Sequence, residues 1–148
     1  MLQNTLFAPE SSWAVPDIFP QFSETETLAI DLETYDPYLM ACGPGWATGR
    51  GHVVGIGVAV KDWKGYFPIR HEGGGNLDET VVLRWLTNLL SSEKREVIFH
   101  NALYDVGWLR REGIDVKGKI QDTIIAAPLL DENRFSYSLS ALGNFYCD

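Results

Sequence analysis

The run HVVGIGVAV at residues 52–60 constrains the fold more than any other stretch. It is dense in β-branched residues and suits a central strand. GYFPIR at 65–70 supplies a hairpin partner across KDWK. Pro68 cannot donate to a ladder on both sides, which places that partner near a sheet edge. Upstream, 27–33 reads as a first strand, and Pro37–Arg50, with CGPGWATGRG, as a loop. HEGGGN is a flexible turn. From there the pattern changes. Residues 76–92 predict a helix, with Val82, Leu83, Leu86, Leu89 and Leu90 at i, i+3, i+4, i+7 and Asn76 or Asp78 as cap. EVIFHN at 96–101 is a short buried strand. NALYDVGWLRREG is a helix with Asn101 at its cap, Leu103, Val106 and Leu109 on its apolar side and Gly113 as stop. KGKIQDTIIAAPLL predicts a strand that turns helical at Asp122. SYSLSALGNFYCD predicts another helix, capped near Ser136 or Ser138. A strand meander followed by strand–helix alternation specifies an α/β sandwich: a mixed sheet, antiparallel on one side and parallel in the middle.

The first strand poses the chemical question. In LAIDLETYDP, Leu28, Ile30 and Leu32 share one face, and Ala29, Asp31 and Glu33 share the other. In a sheet covered on both faces, two neighbouring carboxylates are costly to bury and repel each other. A divalent cation between them relieves both costs, and hard oxygens suit Mg²⁺ or Mn²⁺. The plain structural alternative is that both acids lie at the strand end and face water. A second cluster weighs against it. In FHNALYDVGWL a strand ends at His100, Asn101 starts a helix, and Asp105 lies in its first turn. Capping alone explains Asn101, and a favourable helix dipole alone explains Asp105. Strand ends in α/β sheets are nevertheless where sites form.

Taken in order, these motifs resemble the DEDD (DnaQ-like) 3′–5′ exonucleases, which have an RNase H-like fold. The strand with D-x-E is Ile30-Asp31-Leu32-Glu33-Thr34, the strand with N-x-x-x-D is HNALYD, and QDTIIAAPLLDENRFSYSLSAL is similar to the family's D-T segment with its S-L-x-x-L helix start. The likeness is nearest to the proofreading domain of family A DNA polymerases, over roughly residues 25–148. Haloacid dehalogenase-type phosphatases, with D-x-D-x-[TV] at a strand end, do not fit, because Glu33 and Tyr35 occupy the second and fifth positions.

The resemblance implies two-metal-ion hydrolysis of phosphodiester bonds at DNA 3′ ends. It implies that Asp31, Glu33 and Asp105 are the catalytic and metal-holding residues, with Mg²⁺ or Mn²⁺ as cofactor and two ions in the complete family site. Asp31 would bridge both ions, Glu33 would hold the first and orient the water, and Asp105 would hold the second. Thr34 and Asn101 match positions that contact the terminal nucleotide. Tyr104 would stack on a base or pack internally, and Leu39 or Met40 would wedge between bases or pack in their loop. The implied partners are a single-stranded DNA 3′ end and a polymerase domain downstream.

The family's fourth acid, from Y-x-x-x-D or H-x-x-x-D, is not found. The candidates Asp115, Asp122, Asp131 and Asp148 follow Arg111, Gly118, Ala127 and Asn144 at the required spacing. The expectation is therefore a partial exonuclease domain over residues 23–148, its last helix missing and its activity weak or absent, behind an extended N-terminal arm over residues 1–22. The alternative is a non-catalytic structural or interaction module with an exonuclease-like fold. His52 and His71 have no evident partners, and Asp122 is assigned to capping the following helix.

Bulk properties narrow the setting. Asp and Glu total 20 against 12 Lys and Arg, a net charge of −8. That argues against a plain electrostatic nucleic-acid binder but not against an enzyme that meets phosphates through cations. Cys42 and Cys147 form no C-x-x-C pair and give neither disulfide framework nor zinc spacing. No apolar segment reaches about 18 residues and the N-terminus does not read as a signal peptide, so the expected location is the cytoplasm of a bacterial or phage-infected cell, with no membrane partner.

Overall fold

A computed structural model describes residues 14–147. Five strands form one mixed sheet: β1 (Leu28–Tyr35), β2 (His52–Val60), β3 (Trp63–Pro68), β4 (Glu96–Phe99) and β5 (Lys119–Asp122). Their spatial order is β3-β2-β1-β4-β5. The β1–β2 and β2–β3 pairs are antiparallel; β1–β4 and β4–β5 are parallel. The hairpin turns on Lys61 and Asp62 alone, and Pro68 closes the edge strand β3, where its missing N–H costs no ladder bond.

The helices are α1 (Leu39–Cys42), α2 (Gly45–Thr48), α3 (Glu79–Leu90), α4 (Ala102–Arg111), α5 (Thr123–Leu130) and α6 (Leu139–Tyr146). The stretch expected as loop between β1 and β2 thus holds two helical turns. Each is only four residues long, too short to print a 3.6-residue period on the sequence. Asp78 caps α3 by accepting from the Val81 N–H at 3.1 Å. Ser138 caps α6 through the Ala141 N–H at 3.3 Å.

The core lies on one face of the sheet. Leu28, Ile30, Leu32, Ile56, Val58 and Phe67 meet Val82, Trp85, Leu86 and Leu90 of α3 and Trp108 and Leu109 of α4. Residues 14–22 carry no helix or strand. Phe19 stacks on Phe67 with centroids 5.7 Å apart, and the Trp85 indole N–H donates to the Pro20 carbonyl at 3.0 Å. Residues 1–13 of the expected arm lie outside the described residues.

One sequence expectation fails in α4. Leu103 is 74% exposed, and the buried side is Ala102, Asp105, Trp108 and Leu109. Counting apolar residues alone misses an acid that turns inward because the sheet offers it a donor.

Candidate active site

β1 alternates as the sequence predicts: Leu28, Ile30 and Leu32 are buried, while Ala29, Asp31 and Glu33 face the other way. The face that carries the acids is open, however, so the expectation of a sheet covered over both carboxylates is not met. Asp31 and Glu33 are exposed. Their cross-strand partners explain the opening. Asp31 pairs with Gly57, Glu33 with Gly55 and Ala29 with Ala59, so β2 presents almost no side chain beside them. Between Glu33 and Thr34 the register slips by one residue and leaves Val54 unpaired on β2. A bulge of this kind bends a strand where side chains must be re-aimed.

Asp105 reaches this strand from α4. β1 runs on past the end of β4, and where β4 no longer supplies a ladder partner the Leu32 N–H donates to Asp105 Oδ1 at 3.1 Å. The two motifs, 73 residues apart in the chain, meet at that bond. Asp105 is 3% exposed. Burial pushes its carboxyl up to about 7, against the pull of the Leu32 N–H, and the charges of Asp31 and Asp122 push the same way.

Asn101 sits at the cap position of α4 with φ 76°, the only positive φ outside glycine among the described residues. Asparagine tolerates this left-handed conformation better than most residues. Its side chain makes no cap bond. Asp122 does the capping instead, accepting from the Asn101 N–H at 3.0 Å and the Ala102 N–H at 2.8 Å. The same carboxylate accepts from the Ile124 N–H at 3.1 Å and so caps α5 as well, as the sequence suggests. With the capping carried by Asp122, the Asn101 side chain stays exposed.

Thr34 and Tyr104 are brought together, their hydroxyls 2.8 Å apart. Tyr104 donates to Asp36 Oδ2 at 3.0 Å, and the same oxygen accepts from the Gly45 N–H at 2.8 Å. Burial raises the Tyr104 phenol. Its ring meets Trp108 edge-on, centroids 6.3 Å apart, so in this state the aromatic packs inward. Trp46 covers the next turn of α4; a Cβ on Gly107 would come within 2.4 Å of its ring. Met40 is 97% exposed.

The sequence reading missed several neighbours. Asp36 ties the α1–α2 segment to Tyr104, and no spacing rule points to it. A groove of about 300 Å³ runs beside Asp31, lined in part by Gly57, Lys64, Ile98, His100, Thr123 and Leu139. Of these, His100 Nδ1 and Thr123 Oγ1 lie 2.8 Å apart, and Lys64 adds a positive charge to the lining. His71, which had no evident partner, has its Nε2 2.6 Å from the Tyr66 hydroxyl, and the His52 ring lies against Tyr35 at 5.3 Å.

The donor set, three carboxylates, suits a hard cation in kind. Among the described residues, no three His, Cys, Asp or Glu side chains stand close enough together to hold a metal ion between them.

Comparison with known proteins follows the same lines. The sequence pattern of the 3′–5′ exonuclease found in A-type DNA polymerases matches residues 10–148. A DNA-directed DNA polymerase of Pseudomonas phage M6 is 39% identical over 150 residues, which span 95% of this chain and 22% of the relative. DNA polymerase I of Borreliella burgdorferi is 26% identical over 120 residues, 79% of this chain and 12% of that protein. The chain therefore spans about a fifth or less of the curated relatives it matches. Among solved structures, Brucella melitensis NrnC with bound Mg²⁺ superposes with a TM-score of 0.60 at 18% identity, covering 84% of this chain and 55% of that one. At that identity the likeness is one of fold: a mixed five-stranded sheet with helices, as in RNase H-like exonucleases.

Proposed function

This chain belongs to the 3′–5′ exonuclease family of A-type DNA polymerases, and from that membership we propose that it is a proofreading domain that removes nucleotides from single-stranded DNA 3′ ends. The observation that carries the reading is the bond from the Leu32 N–H to Asp105 Oδ1. It puts the acid of the second motif beside the strand that bears Asp31 and Glu33.

Asp31, Glu33 and Asp105 would hold Mg²⁺ or Mn²⁺, two ions in the complete family site. Bound there, the metal supplies Lewis acidity toward the phosphodiester and lowers the pKa of the attacking water. Asp31 lies beside the groove, and the scissile phosphate would sit next to it. Glu33, one pleat further along the same face, orients the attacking water. Thr34 and the exposed Asn101 side chain contact the terminal nucleotide, and Tyr104, released from Asp36, stacks on its base. A polymerase domain downstream is the expected partner. The phage and bacterial relatives support a cytoplasmic setting in a bacterial or phage-infected cell. Among the described residues no helix is long and apolar enough to cross a membrane.

A shortening assay on 5′-labelled single-stranded DNA tests this reading. It is run on this chain and on the natural gene product that contains it, each with Asp31→Ala. The expected result is a Mg²⁺-dependent ladder retreating from the 3′ end in the gene product, weak or absent in the chain alone, and abolished by the substitution. Shortening that survives Asp31→Ala contradicts the assignment. A second reading, a non-catalytic module with an exonuclease-like fold, draws on the open arrangement of the acids. It predicts no shortening by the gene product.

A further inference from the structure

A pair of side chains that the reaction leaves unused stands beside Glu33. Asp31 pairs with Gly57, and Gly57 pairs with Tyr66 on β3, so all three lie on the open face of the sheet. The bare glycines of β2 let the Tyr66 ring cross the strand that separates it from the acids. A Cβ built on Gly55 would lie 1.9 Å from the Tyr66 hydroxyl, and Gly55 is the register partner of Glu33. The hydroxyl therefore occupies the space where a side chain on Gly55 would stand, the position from which directly opposed cross-strand side chains meet.

His71 fixes that hydroxyl from the far side, Nε2 to oxygen 2.6 Å, with the two rings edge-on at 5.8 Å. The His71 backbone is itself braced. Its N–H donates to Asn76 Oδ1 at 2.7 Å, and Asn76 Nδ2 donates to its carbonyl at 2.8 Å.

We propose that Tyr66, oriented by His71, is a positioning residue for Glu33: His71 donates Nε2–H to the phenolic oxygen, and the Tyr66 O–H donates to the Glu33 carboxylate. An ionised carboxylate can only accept, so this direction of donation is the one that satisfies all three groups. The inference rests on the metal-holding role assigned to Glu33 above. Outer hydrogen bonds of this kind aim a ligating carboxylate, and their loss typically costs 10–100-fold in metal affinity.

The test is Mn²⁺ titration of the chain by calorimetry, with melting temperatures and the line widths of the His71 ring signals recorded by NMR. The proposal predicts that Tyr66→Phe weakens Mn²⁺ binding about 10–100-fold at an unchanged melting temperature. Gly55→Ala, which pushes the hydroxyl aside while leaving Tyr66 in place, should do the same. Mn²⁺ bound to Glu33 should broaden the His71 signals in the unmodified chain. Binding abolished by Asp31→Ala but unaltered in both Tyr66→Phe and Gly55→Ala overturns the positioning role and leaves the metal site standing. An absence of Mn²⁺ binding in the unmodified chain removes the metal site and the positioning role together.

Discussion

Asp105 carries the sharpest consequence at the level of single residues. An acid held up to about 7 by burial is protonated in the folded chain across a range where the unfolded chain has already lost its proton. Its contribution to stability is present below the unfolded value near 3.8 and is lost as pH rises through about 7. Asp105→Asn keeps an oxygen to accept from the Leu32 N–H and removes the titration. The melting temperature of the natural chain should therefore fall relative to the Asn variant between pH 5 and pH 8; parallel curves would contradict the burial argument. Metal binding requires the ionised form, so Mn²⁺ affinity should rise through the same window with release of a proton. The types and order of these acids were legible in the sequence, because a strand has a period of two and a helix start has its own signature. Their exposure was not. It depends on Gly55 and Gly57 of a neighbouring strand, and pairing between strands is not written in either strand alone.

At the scale of elements, Asp122 holds the start of α4 and the start of α5 with one carboxylate. Asp122→Ala frees three N–H groups at two helix starts. It should destabilise the chain by about 2 kcal/mol, above the usual cost of about 1 kcal/mol for one lost cap; a urea midpoint shift measures it, and a loss within about 0.5 kcal/mol would show that solvent replaces the cap. The sequence identified Asp122 as a cap for the helix that follows it. Its hold on α4, twenty residues upstream, becomes visible only when β4 and β5 lie side by side. The same limit explains α4 itself. Its boundaries followed from Asn101 and Gly113, but its buried side was misjudged because Asp105 turns inward to a backbone donor and leaves Leu103 in solvent.

Across the whole molecule, Arg70 joins the end of β3 to both core helices. Its guanidinium donates to Glu79 at the start of α3, at 2.8 and 2.6 Å, and to Glu112 just past α4, at 2.6 and 2.9 Å. Glu112 is the less exposed partner, its side chain 14% accessible. Glu112→Ala should cost about 1–3 kcal/mol, in line with hydrogen bonds to charged groups, and an unchanged urea midpoint would show the clamp to be dispensable. Nothing in the spacing of residues 70, 79 and 112 announced this clamp. The mixed character of the sheet, by contrast, followed from the meander and the later alternation of strands and helices. A further property belongs to the whole surface. Ile125, Leu129 and Leu130 of α5 and Phe145 of α6 are all more than half exposed. An apolar surface of this kind should bind the dye ANS in the native chain, and Leu129→Glu with Leu130→Glu should reduce that signal without lowering the melting temperature.

If Asp31, Glu33 and Asp105 form one divalent-cation site, the three carboxylates answer to the same titration. Calorimetric titration of Mn²⁺ into the chain, beside Asp31→Ala and Asp105→Asn, tests it most directly. The expected outcome is saturable binding in the natural chain, none in Asp31→Ala, and weakened binding without a proton release near pH 7 in Asp105→Asn. Equal binding in all three, or none in any, would mean that the acids on the open face are solvated side chains and not a metal centre.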